Sequence, residues 1–171
     1  MNNQPRHPTP SQTVGPFFRV CLAANAEHGQ LLPGTPPRIT LAIRVIDGGG
    51  APVDDALVEI WQIEGERGLS AFGRLGTNED GWCEFETTRP PIPAAGASHI
   101  NVCIFARGLL HHVWTRVYFA DDDRLSSDPV LALVPEARRP TLIARSDGTT
   151  PARWMFEVHL QGACETVFFD A

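Results

Sequence analysis

The chain has 171 residues, 43% of them hydrophobic and spread in short runs, and no stretch approaches the roughly 18 uninterrupted apolar residues of a membrane-spanning helix. That length suits a single domain, residues 1–171, with one real core. The formal charge of -6, from 14 Lys and Arg against 20 Asp and Glu, gives no basic face for a phosphate backbone, so nucleic acid is not expected as a partner, and the short apolar runs make a membrane equally unexpected. The opening residues 1–8 hold no apolar stretch that could serve as a signal peptide, so the expected location is the cytoplasm. Cys21, Cys83, Cys103 and Cys164 lie far apart with no pair at two-residue spacing, which speaks against a zinc ribbon, a redox motif or a disulfide framework.

Residues 1–38 are rich in Pro, Gly, Asn and Gln and sustain neither helical nor strand periodicity, which predicts an irregular arm. Val14, Pro16, Phe17, Phe18, Val20 and Leu22 are too apolar for a solvated tail, so the arm is expected to pack on something, a partner chain being the candidate. Residues 39–46 and 56–62 read as neighbouring strands separated by the turn Asp47-Gly48-Gly49-Gly50-Ala51-Pro52. Asn78-Glu79-Asp80-Gly81 then introduces a strand over 82–88, which Pro90-Pro91-Ile92-Pro93 stops because proline cannot donate to a ladder.

Residues 99–106 and 113–119 are apolar runs joined by a loop of hairpin length, which predicts an antiparallel pair. Ser126-Ser127-Asp128-Pro129 has the cap and first-turn proline of a short helix that Pro135 halts, and a second helical piece is expected over 139–144. Over 154–160, Trp154, Phe156, Val158 and Leu160 alternate with Met155, Glu157 and His159, the pattern of a core strand. Many short strands with Gly/Pro turns and no long helix make this an all-β sandwich or barrel.

Chemistry is sparse on this scaffold. His99, Asn101 and Cys103 share one strand face, yet one imidazole beside an amide and a thiol reads better as a hydrogen-bonded strand surface than as a metal site. His111 and His112 are adjacent and point apart on an extended backbone, and Asp121-Asp122-Asp123 lacks the further acids and glycine of a calcium loop, so both read as loop surface. Neither a Gly-x-Ser-x-Gly elbow nor a phosphate loop is present. Arg107 ends an apolar strand before a glycine, where its guanidinium can offer a fork to a carboxylate; a solvent-facing turn arginine is the plainer reading of the same position.

Taken in order, a set of segments resembles the intradiol ring-cleavage dioxygenases, and within them the α chains of the protocatechuate 3,4-dioxygenase family. They are Thr9-Pro10-Ser11-Gln12-Thr13-Val14-Gly15-Pro16-Phe17, Val58-Glu59-Ile60-Trp61-Gln62, Phe72-Gly73-Arg74, His99-Ile100-Asn101, Ile104-Phe105-Ala106-Arg107-Gly108, Thr115-Arg116-Val117-Tyr118-Phe119, Thr141-Leu142-Ile143-Ala144 and Glu165-Thr166-Val167-Phe168-Phe169-Asp170. Each is weak alone and their order is specific.

The resemblance implies an intradiol-dioxygenase-like antiparallel β-sandwich with an irregular N-terminal arm and one or two short helices. It implies chemistry at Fe(III), held by two tyrosinates and two histidines. Tyr118 is the only tyrosine in the chain and matches a family tyrosine that is not a ligand, while Asn101 stands where the second histidine of a His-x-His pair would follow His99. No metal is therefore expected here, His99 and Asn101 being degenerate ligand positions. The family's α chain pairs with an iron-bearing β subunit in an αβ unit that oligomerises further. By that resemblance Arg107 contacts the substrate carboxylate in the partner's pocket, and Thr13, Gly15, Pro16 and Phe17 line it, with Phe17 standing where the family often has tyrosine. The expected function is thus the non-iron subunit for intradiol cleavage of protocatechuate to 3-carboxy-cis,cis-muconate in the β-ketoadipate pathway. The alternatives are a stand-alone transthyretin-like binding module, predicted to be monodisperse without a partner, and a scaffolding protein that forms complexes without affecting catalysis.

Overall fold

Alternating apolar side chains build most of the architecture, because every second residue of a strand faces the same way. The computed structural model describes residues 9, 10, 12, 13, 15, 17–23, 28–30, 38–64, 69–150 and 152–170. In chain order these form helix α1 (Phe17–Leu22), strands β1 (His28–Gln30), β2 (Arg38–Ile46), β3 (Leu57–Glu64), β4 (Leu69–Gly76), β5 (Trp82–Thr88), β6 (His99–Phe105) and β7 (Val113–Phe119), a short 3-10 turn (Leu125–Ser127), helix α2 (Pro129–Leu133), a second 3-10 segment (Glu136–Leu142), and strands β8 (Ile143–Ser146) and β9 (Arg153–His159).

The strands hydrogen-bond in the order β1-β5-β2-β9-β8-β7-β6-β3-β4. Strand β8 is the seam, antiparallel to β9 on one side and parallel to β7 on the other. Leu41, Ile43, Val45, Phe85, Phe156 and Val158 from one half meet Val58, Ile60, Val102, Ile104, Val117 and Phe119 from the other in one core. Each such side chain contributes on the order of 1.5–3 kcal/mol by leaving water. The two edges come together as well: a Cβ added at Gly29 of β1 would stand 3.0 Å from Leu75 of β4.

Several expectations hold. Strands β6 and β7 pair antiparallel from His99↔Tyr118 to Ile104↔Val113. Asp128 caps α2 by accepting from the backbone N–H groups of Val130 and Leu131, with Pro129 in the first turn. Trp154, Phe156 and Val158 point into the core.

Others are corrected. Residues 39–46 and 56–62 are not neighbouring strands: β2 lies between β5 and β9, and β3 between β4 and β6. The Asp47 carboxylate accepts from the N–H groups of Gly49 and Ala51, but the chain then crosses to the other half instead of closing a hairpin. The helical piece expected over 139–144 lies earlier, at Glu136–Leu142, because Ile143 already belongs to β8. The arm is not wholly irregular. It contains α1 and β1, and β1 runs parallel to β5. Part of it also packs on this chain, with Phe18 buried against Leu57 and Phe105.

Candidate functional site

Two separate places carry the residues of interest. The first is the outer face of β3, β6 and β7. Pairing sets Trp61 opposite Asn101 and Asn101 opposite Arg116, so these three form one row across three strands. The next rows hold Glu59, Cys103 and Trp114 on one side and His99 with Tyr118 on the other. Tyr118 is fully buried in a cluster with Ala97, Leu131, Val134 and Leu142, under α2 and the segment that follows it.

Asp128 ties this region together. Its buried carboxylate accepts from the N–H groups of Ala97, Val130 and Leu131, each at 2.9 Å, and from the Tyr118 hydroxyl at 3.2 Å. Burial pushes its pKa up, but the bonds from Ala97, Leu131, Val130 and Tyr118 together hold it below the ordinary carboxylate value. Burial raises the Tyr118 phenol, against the lowering influence of the adjacent Arg116. His99 Nδ1 lies 3.1 Å from the Ala97 carbonyl, and burial, helped by the Arg116 charge, lowers its pKa. Beside them, Arg74 grips the buried Glu59 carboxylate through Nε at 2.6 Å and a second nitrogen at 2.5 Å.

This donor set does not fit ferric iron. The one phenol donates to Asp128, the neighbouring strand position offers an amide, and the Arg116 guanidinium adds positive charge where a trication would need anions. Among the described residues no three His, Cys, Asp or Glu side chains converge on a point. His111 and His112 are exposed, with the His112 ring against Phe105 and Trp114. The triple-aspartate segment is not simply a solvated loop, because Asp122 is buried and accepts from the N–H groups of Ser98 and Arg124. Asp121, its neighbour, pairs with Arg89 at 2.7 Å.

The second place lies at the far end of β6, roughly 20 Å from His99 at about 3.3 Å per residue. Arg107 follows that strand at a turn whose Gly108 has φ +87. Its guanidinium is 61% exposed and stands 3.4 Å from both Asp54 and Asp55. These pairs are long for charge-assisted hydrogen bonds, and neither oxygen of the Asp55 carboxylate has a hydrogen-bond partner although both are buried. The helix α1 packs at this same end: the Phe18 ring lies 5.9 Å from that of Phe105. Phe17, beside it, is 71% exposed. The Thr13 hydroxyl accepts from the Gly15 N–H, which sits at φ +69. Pro16 lies outside the described residues.

The structure thus places the Arg107 turn and α1 at one end and His99 with Asn101 at the other. Asp54, Asp55, Asp128 and Arg116 carry weight that the sequence left unassigned. Only Asp128 had a signal, as a helix cap.

No protein-family model matches the chain. It is 40% identical to the protocatechuate 3,4-dioxygenase alpha chain of Burkholderia cepacia over 191 aligned positions, which cover 95% of this chain and 96% of the other. The chain belongs to the family of protocatechuate 3,4-dioxygenase α chains. It is also 30% identical to the protocatechuate 3,4-dioxygenase beta chain of Burkholderia cepacia, over 63% of this chain and 55% of that one. In fold it is similar to the dioxygenase domain of a dioxygenase carbohydrate-binding protein fusion from Streptomyces sp. SirexAA-E, with a TM-score of 0.64, 23% identity, and coverage of 92% and 100%. As an α chain of this family it is a subunit of an intradiol dioxygenase, with the all-β sandwich of that fold. No helix among the described residues is long and apolar enough to cross a membrane.

Proposed function

We propose that this chain is the non-iron subunit of a protocatechuate 3,4-dioxygenase, paired with a β chain that holds Fe(III). The observation that carries the reading is Tyr118: the single tyrosine is buried and hydrogen-bonded to Asp128, beside His99, Asn101 and the cation Arg116. A chain so built supports iron chemistry only by lending residues to another polypeptide. When bound by the partner, the ferric ion supplies the binding of the catecholate and its activation toward dioxygen.

This chain's own part is positioning. The exposed Arg107 fork holds the substrate carboxylate, and the loose pairs at 3.4 Å to Asp54 and Asp55 keep the guanidinium extended while leaving its donors open to exchange. Thr13, Gly15, Pro16 and Phe17 line the partner's pocket from the arm. Phe17 suits this role as a large apolar side chain left 71% exposed beside a buried Phe18. Residues 1–171 act as one domain in the cytoplasm, with the αβ unit repeating into a larger oligomer.

The test is co-expression with the β chain expected from a neighbouring reading frame, followed by iron content and protocatechuate-dependent oxygen uptake of the complex and of each chain alone. Iron and turnover that require both chains are the expected result. Iron and turnover in this chain by itself would overturn the reading.

A further inference from the structure

A cavity of about 700 Å³ opens on the outer face of β3, β6 and β7, with Trp61, Asn101, Trp114, Arg116, Phe169 and Asp170 among its lining residues. Cross-strand register fixes its floor, since Asn101 pairs with Trp61 on one side and with Arg116 on the other. The indoles of Trp61 and Trp114 form one wall, their centroids 5.0 Å apart and tilted by 33°. Phe169 also lines the cavity and is pinned beside Trp114 by its N–H, which donates to the Trp114 carbonyl at 2.8 Å. The Arg116 guanidinium lies 5.9 Å from the Phe169 ring.

Charge decides what such a cavity takes. Arg116 is half-buried and takes part in no ion pair among the described residues. Asp170 is the acid in the lining, and it is exposed at the mouth. Of the other acids nearby, Asp128 is taken up by four hydrogen bonds and Glu59 by Arg74. A half-buried cation with no ion pair among the described residues, 5.9 Å from the Phe169 ring in a pocket of ligand-binding size, calls for an anion that is also flat and apolar. A carboxylate matches the planar guanidinium fork, and an aryl ring matches the indole wall, where offset or tilted stacking adds to burial.

We propose that this cavity binds a small aromatic carboxylate, its carboxylate held by Arg116 with the Asn101 amide beside it and its ring against Trp61 and Trp114. The inference stands on this chain's own residues and is independent of the role proposed for Arg107.

Calorimetric titration of the full chain with benzoate, and separately with benzamide, tests it without iron or oxygen uptake, so its failure and that of the subunit reading are separable. Benzoate is expected to saturate one site per chain with a Kd of roughly 0.1–1 mM, and benzamide to bind at least about tenfold more weakly. Arg116→Gln is expected to weaken benzoate about tenfold and leave benzamide unchanged, whereas Arg145→Gln, which removes the same charge from exposed β8, leaves benzoate unaffected. Where Arg116→Gln does not fold, Trp114→Ala is expected to weaken both ligands, which binding at the Arg107 turn would not show. No saturation below about 10 mM, equal binding of the two ligands, or an equal effect of the two arginine substitutions would overturn the proposal.

Discussion

Removing the Asp128 carboxylate should unfasten α2 from the sheet. The side chain is 3% exposed and receives three backbone N–H groups and one phenol. In Asp128→Ala the helix loses its cap, about 1 kcal/mol, and the buried Ala97 N–H and Tyr118 hydroxyl lose their acceptor, about 1–3 kcal/mol each. Relief of the buried charge returns part of this, so the expected destabilisation is about 3–5 kcal/mol, or on the order of 10 °C in Tm. Asp128→Asn separates the acceptor from the charge. One oxygen serves Val130, Leu131 and Tyr118 and can persist as the amide carbonyl, while the other faces Ala97, where an NH₂ meets an N–H. Its expected cost is about 1–3 kcal/mol. Chemical denaturation of the three proteins at neutral pH reads both values. The depressed native pKa adds a pH signature: the stability it confers is present above the unfolded carboxyl value of about 3.9 and disappears as pH falls through the lower native value. Asp128→Asn should lack that part of the acid slope. If both variants stay within about 1 kcal/mol of wild type, or Asn costs as much as Ala, the carboxylate is not the fastening point described.

Arg107→Ala should raise KM for protocatechuate about tenfold or more in the complex with the β chain, with little change for catechol, which has no carboxylate. Equal changes for the two substrates would remove the carboxylate clamp. Of the four thiols, only the exposed Cys21 and Cys164 should react with a disulfide reagent at pH 8 in the folded chain. Burial drives Cys83 far up, and burial with the Glu59 charge pushes Cys103 up to about 12, so four fast thiols would contradict the packing. Thr77→Val should cost about 1–3 kcal/mol in denaturant titration, because the buried Thr77 hydroxyl donates to the Val53 carbonyl at 2.6 Å and accepts from the Ala56 N–H at 3.0 Å.

Strand β9 was legible because Trp154, Phe156 and Val158 alternate with Met155, Glu157 and His159, and β5, β6 and β7 because short runs of seven residues rich in apolar and β-branched side chains stand between turn signals. Strand β4 was not, since Leu69-Ser70-Ala71-Phe72-Gly73-Arg74 mixes small and flexible residues and owes its extended form to pairing along β3. Helix α1 has six residues, too few for a period to show, and β1 has three. Residues 39–46 and 56–62 read as neighbours because a good turn separates them; which half each strand joins depends on contacts with β9 and β6 that lie far along the chain. At the candidate sites, His99, Asn101 and Arg107 stood out from strand alternation and position, and the resemblance supplied their expected roles. Arg116 gains its meaning from register, because only pairing sets it opposite Asn101, and Asp55 gains its own from the burial of a turn carboxylate that composition would leave in water.

A lone tyrosine also makes this chain its own optical gauge. Every tyrosinate signal from the chain originates at Tyr118, so alkaline titration followed near 295 nm watches one seam, between α2 and the sheet, and no other place. The phenol's native pKa is raised by burial, so the stability linked to it is present below the unfolded value of about 10 and lost as pH rises above it. Absorbance that lags behind free tyrosine and then rises together with loss of structure would time the opening of that seam in an otherwise unlabelled protein.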